Sequence, residues 1–71
     1  MADMTSRQLI RRAKVIEAVV ELIAEVGAEA VQMRDVALRS GVALATVYRY
    51  FRTKEELYFE AILQAFDDRF A

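Results

Sequence analysis

The chain contains no cysteine, no histidine and no proline, and each absence excludes a class of function or fold. Without cysteine there is no disulfide and no thiolate metal site, and without histidine the commonest general base and metal ligand is missing. Two glycines and no proline are too few for a fold of many tight β-turns. In 71 residues we therefore expect one small helical domain that is not an enzyme and holds no metal or cofactor.

Long uncharged runs are absent as well. The longest spans residues 40–48, and its nine residues are about half the length that a membrane-spanning helix requires. The amino terminus also lacks the basic and then apolar segments of a secretion signal. We therefore expect no membrane span, no secretion and a cytoplasmic location.

Charge is arranged in four blocks of alternating sign, although the net charge is only −1. Residues 4–14 carry four cations and no acid, and residues 15–33 carry four acids and no cation. Residues 34–54 are again basic and residues 55–71 acidic. Such blocks can be solvated helix faces, but a low net charge does not exclude a local basic surface for nucleic acid.

Apolar spacing and capping residues predict a first helix over about residues 6–26. Thr5 and Gln8 have the spacing of a capping box, in which each side chain satisfies a free backbone N–H group of the other residue. Gly27 suits the end, because glycine accepts positive φ without strain. Apolar residues at steps of three and four should share one face of this helix: Leu9, Ala13, Ile16, Val20 and Ile23.

Three further helices are predicted at about 33–40, 44–51 and 54–71. The first two are joined by a three-residue turn that begins with Gly41, which is the helix-turn-helix arrangement. The last begins after Thr53, which with Glu56 has the spacing of a second capping box.

Four residues form the predicted scaffold of this motif. Ala37 is small enough for two helices to cross closely, and Gly41 permits positive φ in the turn. Val47 and Phe51, one helical turn apart, should anchor the third helix on the core. An ordinary helical hairpin can show the same residues by chance, so the outward face of the third helix decides the interpretation.

Burying Val47 and Phe51 turns Ala45 and Arg49 outward, with Thr46 and Tyr48 on the flanks. A small residue, a cation, a hydroxyl and a phenol suit a helix that enters the major groove and donates hydrogen bonds to phosphates. For Tyr48 and Tyr50, core packing and phosphate contact both remain open, because a phenol can do both.

Polar residues at two other helix starts extend this surface. Lys54 opens the fourth helix, where a phosphate would meet free N–H groups as well as the amine, although a solvated surface lysine is the alternative. Gln32 and Arg34, at the start of the second helix, could meet the DNA backbone beside the groove. Arg39 is expected in solvent.

The stretch from Val31 to Leu57 resembles the DNA-binding domain of TetR-family transcriptional repressors, and it reads VQMRDVALRSGVALATVYRYFRTKEEL. With the first and last helices the resemblance covers nearly the whole chain, residues 1–71. Within the family the chain is most similar to actinobacterial regulators of steroid and lipid catabolism. The resemblance implies an all-α fold, a three-helix homeodomain-like helix-turn-helix bundle followed by a long fourth helix.

The resemblance also implies a role for individual residues. Phosphate contacts are implied for Thr46, Tyr48, Tyr50 and Lys54, and positions near base edges for Leu44, Ala45 and Arg34. Two positions depart from the family pattern, because Ala43 replaces the usual Ser or Thr before the third helix and Gln32 the usual Thr before the second. Leu44 offers no hydrogen bond and would contact a thymine methyl, so base readout should depend more on Arg34, Arg49 and DNA shape.

The fourth helix has an apolar face about twice as wide as a surface helix usually buries. A three-helix core cannot cover both sides of this helix, so we expect the stripe Phe59, Leu63, Phe66 and Phe70 to pack against a further element. The resemblance implies a carboxy-terminal domain, absent here, that makes the homodimer and binds a small-molecule effector. These phenylalanines could instead form a homodimer face of this chain.

The expected function is that of a sequence-specific DNA-binding regulator, most simply a repressor, with its third helix in the major groove of double-stranded operator DNA. The alternative is a helical protein-interaction module that uses the aromatic face of the fourth helix.

Overall fold

The computed structural model describes residues 4–70, with the side chains of residues 4–67. This part of the chain has four helices and no strand: α1 (Ser6–Val26), α2 (Met33–Ser40), α3 (Leu44–Tyr50) and α4 (Lys54–Phe70). The predicted all-α class is confirmed, and α1 and α2 have the predicted bounds. Residue 71, predicted to end α4, lies outside the described residues. None of the helices over residues 4–70 is both long and apolar enough to cross a membrane.

The third helix ends at Tyr50, one residue before the predicted end. Phe51 leaves the helical conformation, with φ −138° and ψ 111°, although its N–H group still donates to the Val47 carbonyl at 2.9 Å. This extended backbone turns the Phe51 ring into the core, where it is 2% exposed. The residue is therefore buried as predicted but acts as the C-cap of α3.

Both predicted capping residues act at their helix starts. The Thr5 hydroxyl accepts from the Gln8 N–H at 3.2 Å, and the Gln8 side chain accepts from the Thr5 N–H at 2.8 Å, which completes the capping box. At α4 the Thr53 hydroxyl accepts from the Glu56 N–H at 3.1 Å. The Glu56 carboxylate, however, accepts from the N–H of Arg52 at 2.9 Å, so the second box closes one residue early.

The core lies where α1 meets the other three helices. It contains apolar side chains from every helix and from both loops that flank α2. Its members are Val15, Ile16, Ala18, Val19, Leu22, Val31, Met33, Val36, Ala37, Val42, Val47, Phe51, Leu57 and Ala61. One contiguous cluster of this kind is what a single small domain needs.

The buried face of α1 differs from the predicted one. Of the predicted residues, Ile16 is buried and Ile23 packs against the core, but Leu9 and Val20 are about half exposed. Val15 and Val19, outside the predicted set, are fully buried. The spacing of the predicted residues does place them on one face of α1. The centre of the buried face, however, is rotated from it by about a quarter turn around the helix axis, because α1 must contact α2 as well as α4. The predicted face instead borders a surface hollow along α4 beside Ala61.

An ion pair joins the end of α1 to the end of α2. The Arg39 guanidinium donates to both oxygens of Glu25, one of them at 2.7 Å, and lies 3.6 Å from a Glu21 oxygen. Arg39 is exposed to solvent as expected, but its ion pair with Glu25 was not predicted. The two acids stand one helical turn apart on α1, and the α1–α2 packing brings them under the arginine.

This ion pair should make stability depend on pH in acid. The hydrogen bond from Arg39 holds the pKa of Glu25 below its ordinary value of 4.5. Since the folded-state pKa is depressed, the stabilisation is present above that value and is lost as the pH falls through the folded-state pKa. We expect the difference in melting temperature between the wild type and Arg39→Gln to shrink between about pH 5 and pH 3.

Thermal unfolding followed by circular dichroism across this pH range measures the effect. Arg52→Gln is the matched control, because the guanidinium of Arg52 has no carboxylate partner among the described residues. A difference that stays constant with pH, or one of equal size in Arg52→Gln, would contradict the assignment.

The start of α3 lacks a side-chain cap, which makes Ala43 a site for stabilisation. Ala43 has φ −58° and ψ 141°, the extended conformation of an N-cap residue, and its methyl group can accept no hydrogen bond. We expect Ala43→Ser to raise the free energy of unfolding by about 0.5–2 kcal/mol, measured by urea denaturation. Ala45→Ser, two residues later inside the helix, is the control and should give no such gain.

Candidate nucleic-acid interface

The third helix presents one side to the core and the other to solvent, as its spacing predicts. Val47 is fully buried, whereas Ala45 and Arg49 are exposed on the opposite side. Leu44 at the start of the helix and Tyr48 in its middle are 39% and 45% exposed. The exposed side therefore holds a cation, a phenol and two apolar side chains.

The turn between α2 and α3 fixes the direction of this exposed side. Gly41 adopts the left-handed conformation, with φ 72°, and its N–H donates to the Ala37 carbonyl at 3.0 Å. The Ser40 hydroxyl donates to the same carbonyl at 3.2 Å and accepts from the Val42 N–H at 3.3 Å. Gly41 thus has the positive φ that its predicted role requires, and Ala37 is buried.

Ser40 and Val42 were missed in the sequence. A serine directly before the turn glycine was the available signal for Ser40, because its short side chain can bond the backbone two residues on. Val42 is the second buried anchor of the turn. It could not be predicted from hydrophobic periodicity, because a single apolar residue between a glycine and an alanine forms no repeating pattern.

The two predicted residues at the start of α2 are both exposed. Gln32 is the N-cap, but only its backbone carbonyl takes part, accepting from Asp35 and Val36 at 3.0 and 3.2 Å. The Gln32 side chain makes no capping bond. Arg34 has no carboxylate partner among residues whose side chains the structure describes. Both side chains are therefore accessible to a ligand at this helix start.

Tyr50 lies apart from the exposed side of α3. It is half-buried against the core and meets the Phe51 ring edge-on, with 6.4 Å between ring centroids. It borders a small hollow with Arg12 and Glu60. Thr46 and Tyr50 are one helical turn apart, so they share one flank of α3 and both are half-buried, whereas Tyr48 and Arg49 are exposed.

Lys54 is half-buried and fastens α4 to the loop between α1 and α2. Its amine donates to the Val31 carbonyl at 3.0 Å and lies 5.9 Å from the centre of the Tyr58 ring. One turn further along α4, the Tyr58 hydroxyl donates to the Ala28 carbonyl. Burial, with the nearby Glu55 carboxylate, raises the pKa of Tyr58, so this hydroxyl keeps its proton well above neutral pH.

The cations of the two basic blocks divide into two groups. Arg39 is paired with Glu25, and Arg12 is paired with Glu60 at 2.9 Å and lies 5.1 Å above the Phe51 ring. Within the described side chains, the remaining cations have no carboxylate within 4 Å, and they are Arg7, Arg11, Lys14, Arg34, Arg49, Arg52 and Lys54. A set of positive charges without a carboxylate partner therefore lies around α3 and along the first half of α1.

Comparisons with known proteins agree with this geometry. The family profile described as "Bacterial regulatory proteins, tetR family" matches residues 15–61. The chain is 42% identical over 66 residues to the "HTH-type transcriptional repressor KstR" of Rhodococcus jostii, which is 92% of this chain and 31% of that protein. It is 43% identical over 56 residues to the KstR repressor of Mycobacterium tuberculosis, or 79% of this chain and 26% of that protein.

A relative outside the actinobacteria is the "Fatty acid metabolism regulator protein" of Bacillus subtilis, 43% identical over 44 residues, or 62% of this chain and 23% of that protein. The chain thus spans about a third or less of the length of these curated relatives. No solved structure matches it. Because the profile covers most of the chain and the relatives agree with it, the chain belongs to the tetR family of bacterial regulatory proteins.

Proposed function

We propose that this chain is the DNA-binding part of a transcriptional repressor and that α3 lies in the major groove of its operator. The observation that carries the proposal is the exposed side of α3, where Tyr48 and Arg49 stand beside small residues on a helix anchored by Val47. An α-helix fits the width of the major groove, and small residues let it lie deep there. The match to tetR-family repressors supports the same reading.

Each exposed residue has a role that follows from its chemistry. Arg49 and Arg34 can each donate two hydrogen bonds to a guanine edge, the commonest specific contact in the major groove. Leu44 and Ala45 offer only apolar contact, which suits a thymine methyl group. Thr46 donates to a phosphate oxygen beside them.

Four further residues are proposed at the backbone on either side of the groove. The hydroxyl of Tyr48 and the amide of Gln32 are exposed and can donate to phosphates directly. Lys54 has three N–H donors, of which the Val31 carbonyl takes one, so two remain for a phosphate. Tyr50 packs its ring on the core and would contribute only its hydroxyl, at the edge of the surface.

The whole regulator is proposed to be a homodimer with a further helical domain that binds a small-molecule effector. Support comes from α4, where Phe59 is 61% exposed and its neighbours Ile62 and Leu63 are also exposed. The much greater length of the relatives leaves room for such a domain in them. Similarity to a fatty acid metabolism regulator and to KstR favours genes of lipid or steroid catabolism as targets, on the chromosome in the bacterial cytoplasm.

A DNA titration tests the proposed function against the protein-interaction alternative. Duplexes selected from a random library for binding to the chain are titrated by fluorescence anisotropy at several salt concentrations. We expect Tyr48→Ala to weaken binding to all selected duplexes by a similar factor with little change in the slope of log affinity against log salt, because the phenol is uncharged. Arg49→Ala should cost about 1–3 kcal/mol and relax base preference at one position.

The matched control is Phe59→Ala, which removes an exposed aromatic ring of similar size from α4. It should bind DNA like the wild type. A wild type without salt-dependent binding, or a Tyr48→Ala variant that binds equally well while Phe59→Ala does not, would refute groove reading by α3. Melting temperatures of all variants exclude unfolding as the cause.

A further inference from the structure

A cleft with two unpaired cations lies between α1 and the helix-turn-helix turn, and we call it the α1–turn cleft. Arg11 and Lys14 line it from α1, Ser40 and residues 41–43 form its floor at the turn, and Thr46 closes it from α3. We propose that this cleft binds a phosphate of the DNA strand next to α3. The proposal rests on the proposed function and adds α1 to the DNA-contacting surface.

The position of the two cations is the first argument. Arg11 and Lys14 are three residues apart, so they project from the same face of α1. Arg11 is half-buried and Lys14 is exposed, and neither has a carboxylate within 4 Å in the described part of the chain. Arg12, between them in sequence, projects toward α4 and pairs with Glu60 instead. The fold therefore leaves these two cations, and not the third, beside the turn.

The lining of the cleft is the second argument. No acidic residue lines it, and its volume of about 400 Å³ gives room for a phosphodiester group with bound water. The residues of its floor are small, so the DNA backbone can approach the turn closely. Glu17 and Glu21 line the neighbouring hollow, which shares Lys14 with the cleft, so the acidic half of α1 begins beyond Lys14 and outside the cleft.

Continuity with α3 is the third argument, and it favours DNA over a free anion. Thr46 belongs both to the cleft and to the flank of the exposed side of α3. A strand whose phosphate meets Thr46 therefore runs past Arg11 and Lys14 at the next step. The cleft is a surface hollow and not an enclosed cavity, so a phosphate that belongs to a DNA strand can reach it.

The salt dependence of DNA binding tests the inference with Arg11→Gln and Lys14→Gln. Each variant should lower the slope of log affinity against log salt by about one, since each contact with a phosphate releases about one counterion. Base preference among the selected duplexes should not change, because phosphate contacts carry no sequence information.

Arg7→Gln is the matched control. It removes one charge from the same basic block, one turn before Arg11, but Arg7 does not line the cleft. The expected result is a wild-type slope for Arg7→Gln, a reduced slope for Arg11→Gln and Lys14→Gln, and equal melting temperatures for all three. A slope reduced as much by Arg7→Gln shows a diffuse field of charge and overturns the inference.

The remaining outcomes separate this inference from the proposed function. If Tyr48→Ala weakens binding but the slopes of Arg11→Gln and Lys14→Gln match that of the wild type, α3 reads DNA and the cleft is not part of the interface. If the wild type shows no salt-dependent binding, both ideas fail. If inorganic phosphate alone shifts the amide resonances of residues 41–43 while the DNA slopes of both cleft variants match the wild type, the cleft takes free phosphate and the inference is wrong.

Discussion

The orientation of α3 depends on the burial of Val47 and Phe51, and the rest of the candidate interface depends on that orientation. Val47 is fully buried within the helix, and Phe51 leaves the helix so that its ring enters the same core. With both side chains in the core, the rotation of α3 about its own axis is fixed, and this rotation exposes Ala45 and Arg49. Gly41 contributes by turning the chain so tightly that α3 begins against α2.

A second constraint is how the chain uses its acids. Glu25 and Glu60 each take one arginine, and in doing so they hold α1 to α2 and α1 to α4. The arginines that serve the fold are thereby removed from the surface available to a ligand. A chain with a net charge of −1 can in this way present a locally positive side, because its ion pairs involve only some of its arginines and the other cations have no carboxylate partner.

Sequence reasoning succeeded where the signal is local. The bounds of α1 and α2 and the roles of Thr5 and Gly41 follow from residues within one helical turn of each other. It failed where the partner comes from another element: the face of α1 depends on where α2 and α4 pack, and Arg39 pairs with Glu25, fourteen residues away. The same holds for the candidate interface. The exposed side of α3 could be predicted from the spacing of its residues, but the hydrogen bond from Lys54 to the Val31 carbonyl could not, because it joins residues twenty-three positions apart.

The missing cap at Ala43 has a consequence for the dynamics of the surface that faces the ligand. Helices shorter than about 12 residues are not stable alone in water, and α3 has seven residues and no side-chain cap at its start. Its buried side chains are those of Val47, the central residue, and of the C-cap Phe51, so the first turn contains no buried side chain and is the least protected against local opening. Leu44 and Ala45 therefore belong to the part of the helix with the most conformational entropy. Fixing them against a base edge costs entropy on binding, and this cost is absent for the second half of α3.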